Sequence, residues 1–200
     1  MRLMIRLLSI LVLSLPLSAH AYHIPVTAKA AVIMDAETGQ VLWSKNPHLK
    51  LQPASTTKVL TGIVALESAP MNRMCEVSKQ AAGTAASRIN LRPGDELPVK
   101  DLLYALLLKS ANDAGVVLAE NIGGSVSRFA SLMNAKAKAI GAFDSNFVNP
   151  HGLPDRGQYT TAYDLSLMLR YAIQKPEFTR VAITKEYMID MERRRPIKIK

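Results

Sequence analysis

The chain has few of the residues that brace small proteins from outside a core or bind metals. It carries one cysteine, Cys75, in 200 residues. That excludes an internal disulfide and leaves a thiol expected to pack as a small buried apolar group. Its four histidines, His20, His23, His48 and His151, show no ligand spacing, so no metal and no cofactor are expected. Aromatic residues make up only 6%, and the core must come mainly from aliphatic side chains. No apolar run reaches the ~20 residues that a membrane-spanning helix needs. Acidic residues are outnumbered, 16 Asp and Glu against 25 Lys and Arg, for a formal charge of +9. No nucleic-acid-binding motif accompanies that charge, and nucleic acid is not an expected partner.

The N-terminus supplies a reason. Arg2 and Arg6 precede an apolar stretch over residues 7–17, followed by Ala19-His20-Ala21. A charged start, a short apolar middle and a small-x-small end make a secretory signal peptide, with residues 1–21 removed after Ala21. The expected location is outside the cytoplasm, in a periplasm or on the extracytoplasmic face of a bacterial membrane. Losing Arg2 and Arg6 takes +9 to +7. A basic exported protein meets anionic membrane surfaces and acidic wall polymers, and peripheral contact with them is expected.

Along the mature chain, residues 30–43 read as a hairpin, two apolar runs joined by Asp35-Ala36-Glu37-Thr38-Gly39. Pro53 opens a helix expected to stop before Pro70. Residues 71–83 read as irregular or weakly helical. Ile89 and Leu91, then Leu97 and Val99, alternate around Pro93-Gly94-Asp95 and suggest a second hairpin. Helical spacing returns at Leu102, Leu103, Leu106 and Leu107, again over residues 116–122, and again over 125–140. Thr161 with Asp164 marks a last helix start, ending near Pro176. Residues 178–200 hold β-prone pieces and a basic run, Arg193-Arg194-Arg195, read as a solvated face.

Two short elements carry chemistry. In Pro53-Ala54-Ser55-Thr56-Thr57-Lys58 the serine and lysine stand three apart at a helix start. Residues i and i+3 share a face at roughly 5–6 Å, so the Lys58 amine can reach the Ser55 hydroxyl. A serine becomes a good nucleophile when a neighbouring base takes its proton, and a lysine becomes that base when burial lowers its pKa. Ser110-Ala111-Asn112 is the second element. If that segment is extended, Ser110 and Asn112 point the same way and present a hydroxyl and an amide to the first pair. Each element alone is also an ordinary helix cap.

Together, in this order and about fifty residues apart, they form two of the three motifs shared by class A β-lactamases and penicillin-binding proteins. The chain resembles the low-molecular-mass penicillin-binding proteins, the serine D-alanyl-D-alanine carboxypeptidases of peptidase family S11. The likeness runs through the two elements above, Leu106-Leu107-Leu108-Lys109 ahead of Ser110, Asn149-Pro150-His151-Gly152-Leu153-Pro154-Asp155, and the Asp35 turn. It implies an α+β fold: an antiparallel sheet flanked by helices, with a mainly helical lobe inserted at roughly residues 70–160 of a partial catalytic domain, 22–200. It implies that Ser55 is the acylating nucleophile, Lys58 its base, Ser110 a proton relay and Asn112 a substrate contact. The implied ligands are peptidoglycan stem peptides ending in D-Ala-D-Ala, and the β-lactams that mimic them.

The third motif, Lys-Thr-Gly or Lys-Ser-Gly, does not occur in this sequence. The resemblance therefore implies a chain truncated before the last strands of the sheet. Two other readings stand beside the carboxypeptidase: a DD-endopeptidase of the same family, and a non-catalytic wall-binding remnant.

Overall fold

The computed structural model describes residues 25–85, 87–191 and 195–200. The expected signal peptide, 1–21, lies outside them, as do Arg193 and Arg194; Arg195 is exposed. Strand β1, Ala31–Met34, pairs antiparallel with β2, Val41–Lys45. The Asp35 carboxylate accepts hydrogen bonds from the Thr38 N–H and hydroxyl, each at 2.7 Å. These bonds lower its pKa and close the expected turn.

A short 3-10 turn, Ala54–Thr56, leads into α1, Thr57–Ser68. Helix α1 is the centre of the molecule. Leu60, Ile63 and Ala65 are wholly buried, and the helix packs on α3, Val99–Leu108, α4, Asn112–Gly123, and α5, Val126–Ile140. It also meets α6, Ala162–Ile173, and α7, Pro176–Ala182. Two apolar clusters lie on either side of it. One gathers α3 and α4 with Cys75, Leu91 and Leu97. The other gathers Leu60, Ile63, Phe129, Met133, Phe147, Met168 and Phe178. At the far end of α1, Glu67 pairs with Lys136 and with Lys175 and accepts from the Tyr171 hydroxyl. Burial would raise its pKa, but these three partners pull it down to about 2.

The mixed α+β class holds, with a qualification. Among the described residues the strands form three separate antiparallel pairs, not one sheet. The second hairpin differs from expectation. Its strands are β3, Met74–Glu76, and β4, Glu96–Pro98. Ile89 and Leu91 are buried, 7% and 3% exposed, but belong to no strand. Their alternation reports burial, and their N–H groups bond to the Asp113 side chain. Helix α2, Lys79–Ala82, lies in the stretch read as irregular or weakly helical. Pro176, read as a terminator, is the first residue of α7, where its missing N–H is harmless. The last pair is β5, Tyr187–Ile189, with β6, Ile197–Ile199. Cys75 is free and fully buried, and burial raises its thiol pKa. Among the described residues no helix is long and apolar enough to cross a membrane.

Candidate active site

The 3-10 turn puts Ser55 on the surface and Lys58 beneath it. Ser55 is exposed, whereas Lys58 is 3% exposed. Lys58 Nζ lies 3.4 Å from Ser55 Oγ and donates to the His151 carbonyl at 2.8 Å. The first contact is long for a hydrogen bond, as is common where the partner only tightens with substrate bound. Burial alone brings Lys58 down to about 8. An exposed hydroxyl over a desolvated amine can pass its proton inward while its oxygen attacks outward.

The loop that presents the His151 carbonyl is tied to this turn at several points. Thr61 Oγ1 donates to Pro150 O at 2.7 Å, and Leu51 exchanges two 2.9 Å backbone bonds with Thr160. Gly152 lies against the Ala54 carbonyl so closely that a Cβ there would fall 1.7 Å from the oxygen. Ala54 itself has φ +48° and Gly152 +88°. A left-handed alanine one residue before Ser55 is strain held by its surroundings. Two buried amides stitch the loop. Asn149 Oδ1 accepts from His151 N and Gly152 N, and its Nδ2 donates to Leu153 O. Gln158 Oε1 accepts from Val148 N and Asn149 N, and its Nε2 donates to Leu153 O. The His151 ring accepts from Leu153 N through Nδ1. Burial, then the charge of Lys58, brings that ring down to about 4 against the pull of Asp155, so it is neutral at pH 7. Sequence reasoning gave His151 no role. The Pro and Gly content of 149–155 signalled a loop, but nothing local signals that its carbonyl meets an amine 93 residues away.

Ser110 follows α3 with φ +56°, and its buried Oγ has no hydrogen-bond partner. It is therefore bonded to neither Ser55 nor Lys58. The 110–112 segment is not extended: Ser110 is left-handed, Ala111 extended, and Asn112 begins α4. The pleat that would align residues two apart is absent. The Asn112 side chain donates to Ala85 O at 3.1 Å, and its N–H donates to Ser87 O at 2.7 Å.

Asp113 is fully buried. It accepts from Ile89 N and Leu91 N, at 3.1 and 3.2 Å to Oδ2, and from Ala114 N. Asn112 and Asp113 thus hold Ala85, Ser87, Ile89 and Leu91 against the start of α4. Asp113→Ala leaves the Ile89 and Leu91 amides buried without partners. Each such orphan costs about 1–3 kcal/mol, so urea denaturation should show a loss of about 2–6 kcal/mol, with faster exchange at those two amides. An unchanged midpoint would count against this clamp.

A family model described as Peptidase_S11, D-alanyl-D-alanine carboxypeptidase, matches residues 17–199. D-alanyl-D-alanine carboxypeptidase DacF of Bacillus subtilis is 38% identical over 164 residues, 80% of this chain and 42% of that protein. The crystal structure of DacD from Francisella tularensis superposes with a TM-score of 0.81 at 37% identity, covering 87% of this chain and 44% of that one. A Streptomyces K15 DD-transpeptidase variant superposes at 0.82 with 26% identity, covering 89% and 74%. The chain spans about half or less of the length of the curated relatives it matches, for example 42% of one and 53% of another.

Proposed function

Because the chain belongs to the D-alanyl-D-alanine carboxypeptidase family, peptidase S11, we propose that it acts through an acyl-enzyme on Ser55 against peptidoglycan stem peptides ending in D-Ala-D-Ala. The observation that carries this reading is the 3.4 Å approach of a buried amine to an exposed serine hydroxyl. Ser55 Oγ bonds to the penultimate D-Ala carbonyl carbon as its proton passes to Lys58 Nζ. The developing oxyanion takes the Ser55 backbone N–H. The C–N bond breaks, the terminal D-Ala leaves with a proton, and water then hydrolyses the ester. A β-lactam follows the same path, but its leaving nitrogen stays tethered and the ester persists.

In this reading Ser110, with its unpartnered hydroxyl, serves as a proton relay. Asn112 contacts substrate through its side-chain amide, whose nitrogen carries two N–H donors, and also fixes Ala85 and Ser87. The N-terminal pattern of residues 1–21 supports export to the periplasm or the outer face of the cytoplasmic membrane. The charge of +7 that remains once Arg2 and Arg6 leave with residues 1–21 supports contact with anionic lipid or wall polymers.

A fluorescent penicillin should label the protein covalently, and Ser55→Ala should abolish labelling. Release of D-Ala from a pentapeptide, compared with cleavage of cross-linked dimers, separates carboxypeptidase from endopeptidase. A folded wild-type chain that takes no label would favour the non-catalytic wall-binding reading.

A further inference from the structure

We propose that Gln158 is a positioning residue for Lys58, acting through the His151 carbonyl; the proposal deepens the reading of Lys58 as the base. Gln158 belongs to none of the motifs above. It is 3% exposed, and its amide bonds to both ends of the loop. Oε1 takes the N–H groups of Val148 and Asn149 at 3.1 and 3.3 Å, and Nε2 reaches the Leu153 carbonyl at 3.2 Å. Between those ends lie Pro150, His151 and Gly152, the three residues that meet the Ser55–Lys58 turn. Gln158 is itself fixed from outside the loop. Asn146 and Tyr159 exchange backbone bonds at 2.8 and 3.0 Å, and Thr160 is paired to Leu51. The frame that carries the nucleophile turn therefore also carries the buckle that closes the loop over it.

The loop does two things for Lys58. It offers the acceptor that orients the amine, and it keeps water away from it. Burial sets the Lys58 shift; among the described groups with a resolved shift, His151 feels the Lys58 charge, and Asp155 acts in turn on His151. Loosening the loop admits water to Lys58. An ammonium gains more from water than an amine does, so the group moves back toward the ordinary lysine range.

The test is an NMR titration of Lys58 15Nζ in the full chain, paired with the pH profile of fluorescent-penicillin labelling. Gln158→Met keeps the side-chain length and removes all three bonds. It should raise the Lys58 midpoint by about one pH unit, which cuts labelling at pH 7 about tenfold through the neutral fraction. Gln158→Leu removes the same three bonds without adding a charge and carries the same comparison should Gln158→Met not fold. A folded variant whose Lys58 midpoint stays at the wild-type value overturns the proposal, even if labelling falls with stability. A wild-type chain that takes no label would sink the acyl-enzyme reading instead, and the NMR midpoint would still decide the role of Gln158.

Discussion

Gly152→Ala is expected to lower stability by about 2–5 kcal/mol and, in whatever folds, to slow acylation of Ser55 about 100-fold. The added Cβ would sit 1.7 Å from Ala54 O, 2.4 Å from Ala54 C and 2.9 Å from Thr57 Oγ1. Those are main-chain atoms and a fully buried side chain, so no flexible group can swing aside. Overpacking of this kind costs about 1–3 kcal/mol, sometimes more, and a left-handed alanine adds about 1–2 kcal/mol. Relief requires the 149–153 loop or the Ala54 turn to move. Either shift carries Ser55 or the His151 carbonyl with it, and a displacement near 1 Å costs about 100-fold in rate. Urea denaturation and labelling kinetics measure the two effects. A variant with wild-type values for both would mean that the close approach of Gly152 to Ala54 does not constrain the site.

That contact shows which part of the site was legible in the sequence. Ser55 and Lys58 stand three apart on one helix, and helical geometry alone predicts that they meet. The same holds for α1, α3 and α5, whose apolar spacing needed only local periodicity, and α6 was marked by Thr161 and Asp164 at its start. The partners of the pair were not legible. His151, Gly152 and Gln158 lie about a hundred residues further on, and their roles rest on a carbonyl, a missing Cβ and an amide that no local pattern marks. The stretch around Ile89 and Leu91 failed for a related reason. The two alternate as a strand would, yet Asp113 takes their N–H groups and leaves nothing for a ladder. The real strand, Met74–Glu76, is three residues long, too short for alternation to register.

Lys58→Met should abolish the base and, at the same time, change how stability depends on pH. As the base, Lys58 is worth about 100- to 10,000-fold in acylation, and labelling of the variant should fall by that factor. In the wild type, labelling should rise with pH and level off above about 8, where the amine becomes neutral. The stability effect follows from the same burial. Lys58 falls from 10.5 to about 8 on folding, so between those values the unfolded chain holds a proton that the folded chain has released. Stability therefore rises with pH across that window. Below pH 8 both states are protonated and the full cost of the buried ammonium is present, about 3 kcal/mol at about 1.4 kcal/mol per pH unit. The Lys58→Met variant avoids that cost but leaves the His151 carbonyl without its donor, about 1–3 kcal/mol at every pH. At pH 7 the variant should thus equal or exceed the wild type in stability. Between pH 8 and 10.5 the balance should swing toward the wild type by about 3 kcal/mol, the same burial cost now relieved. Every other residue is common to the two chains and cancels in the difference, which urea denaturation at a series of pH values would measure. A difference that stays flat across the window would mean that Lys58 is solvated in the folded chain, and an amine so solvated could not serve Ser55 as its base near neutral pH.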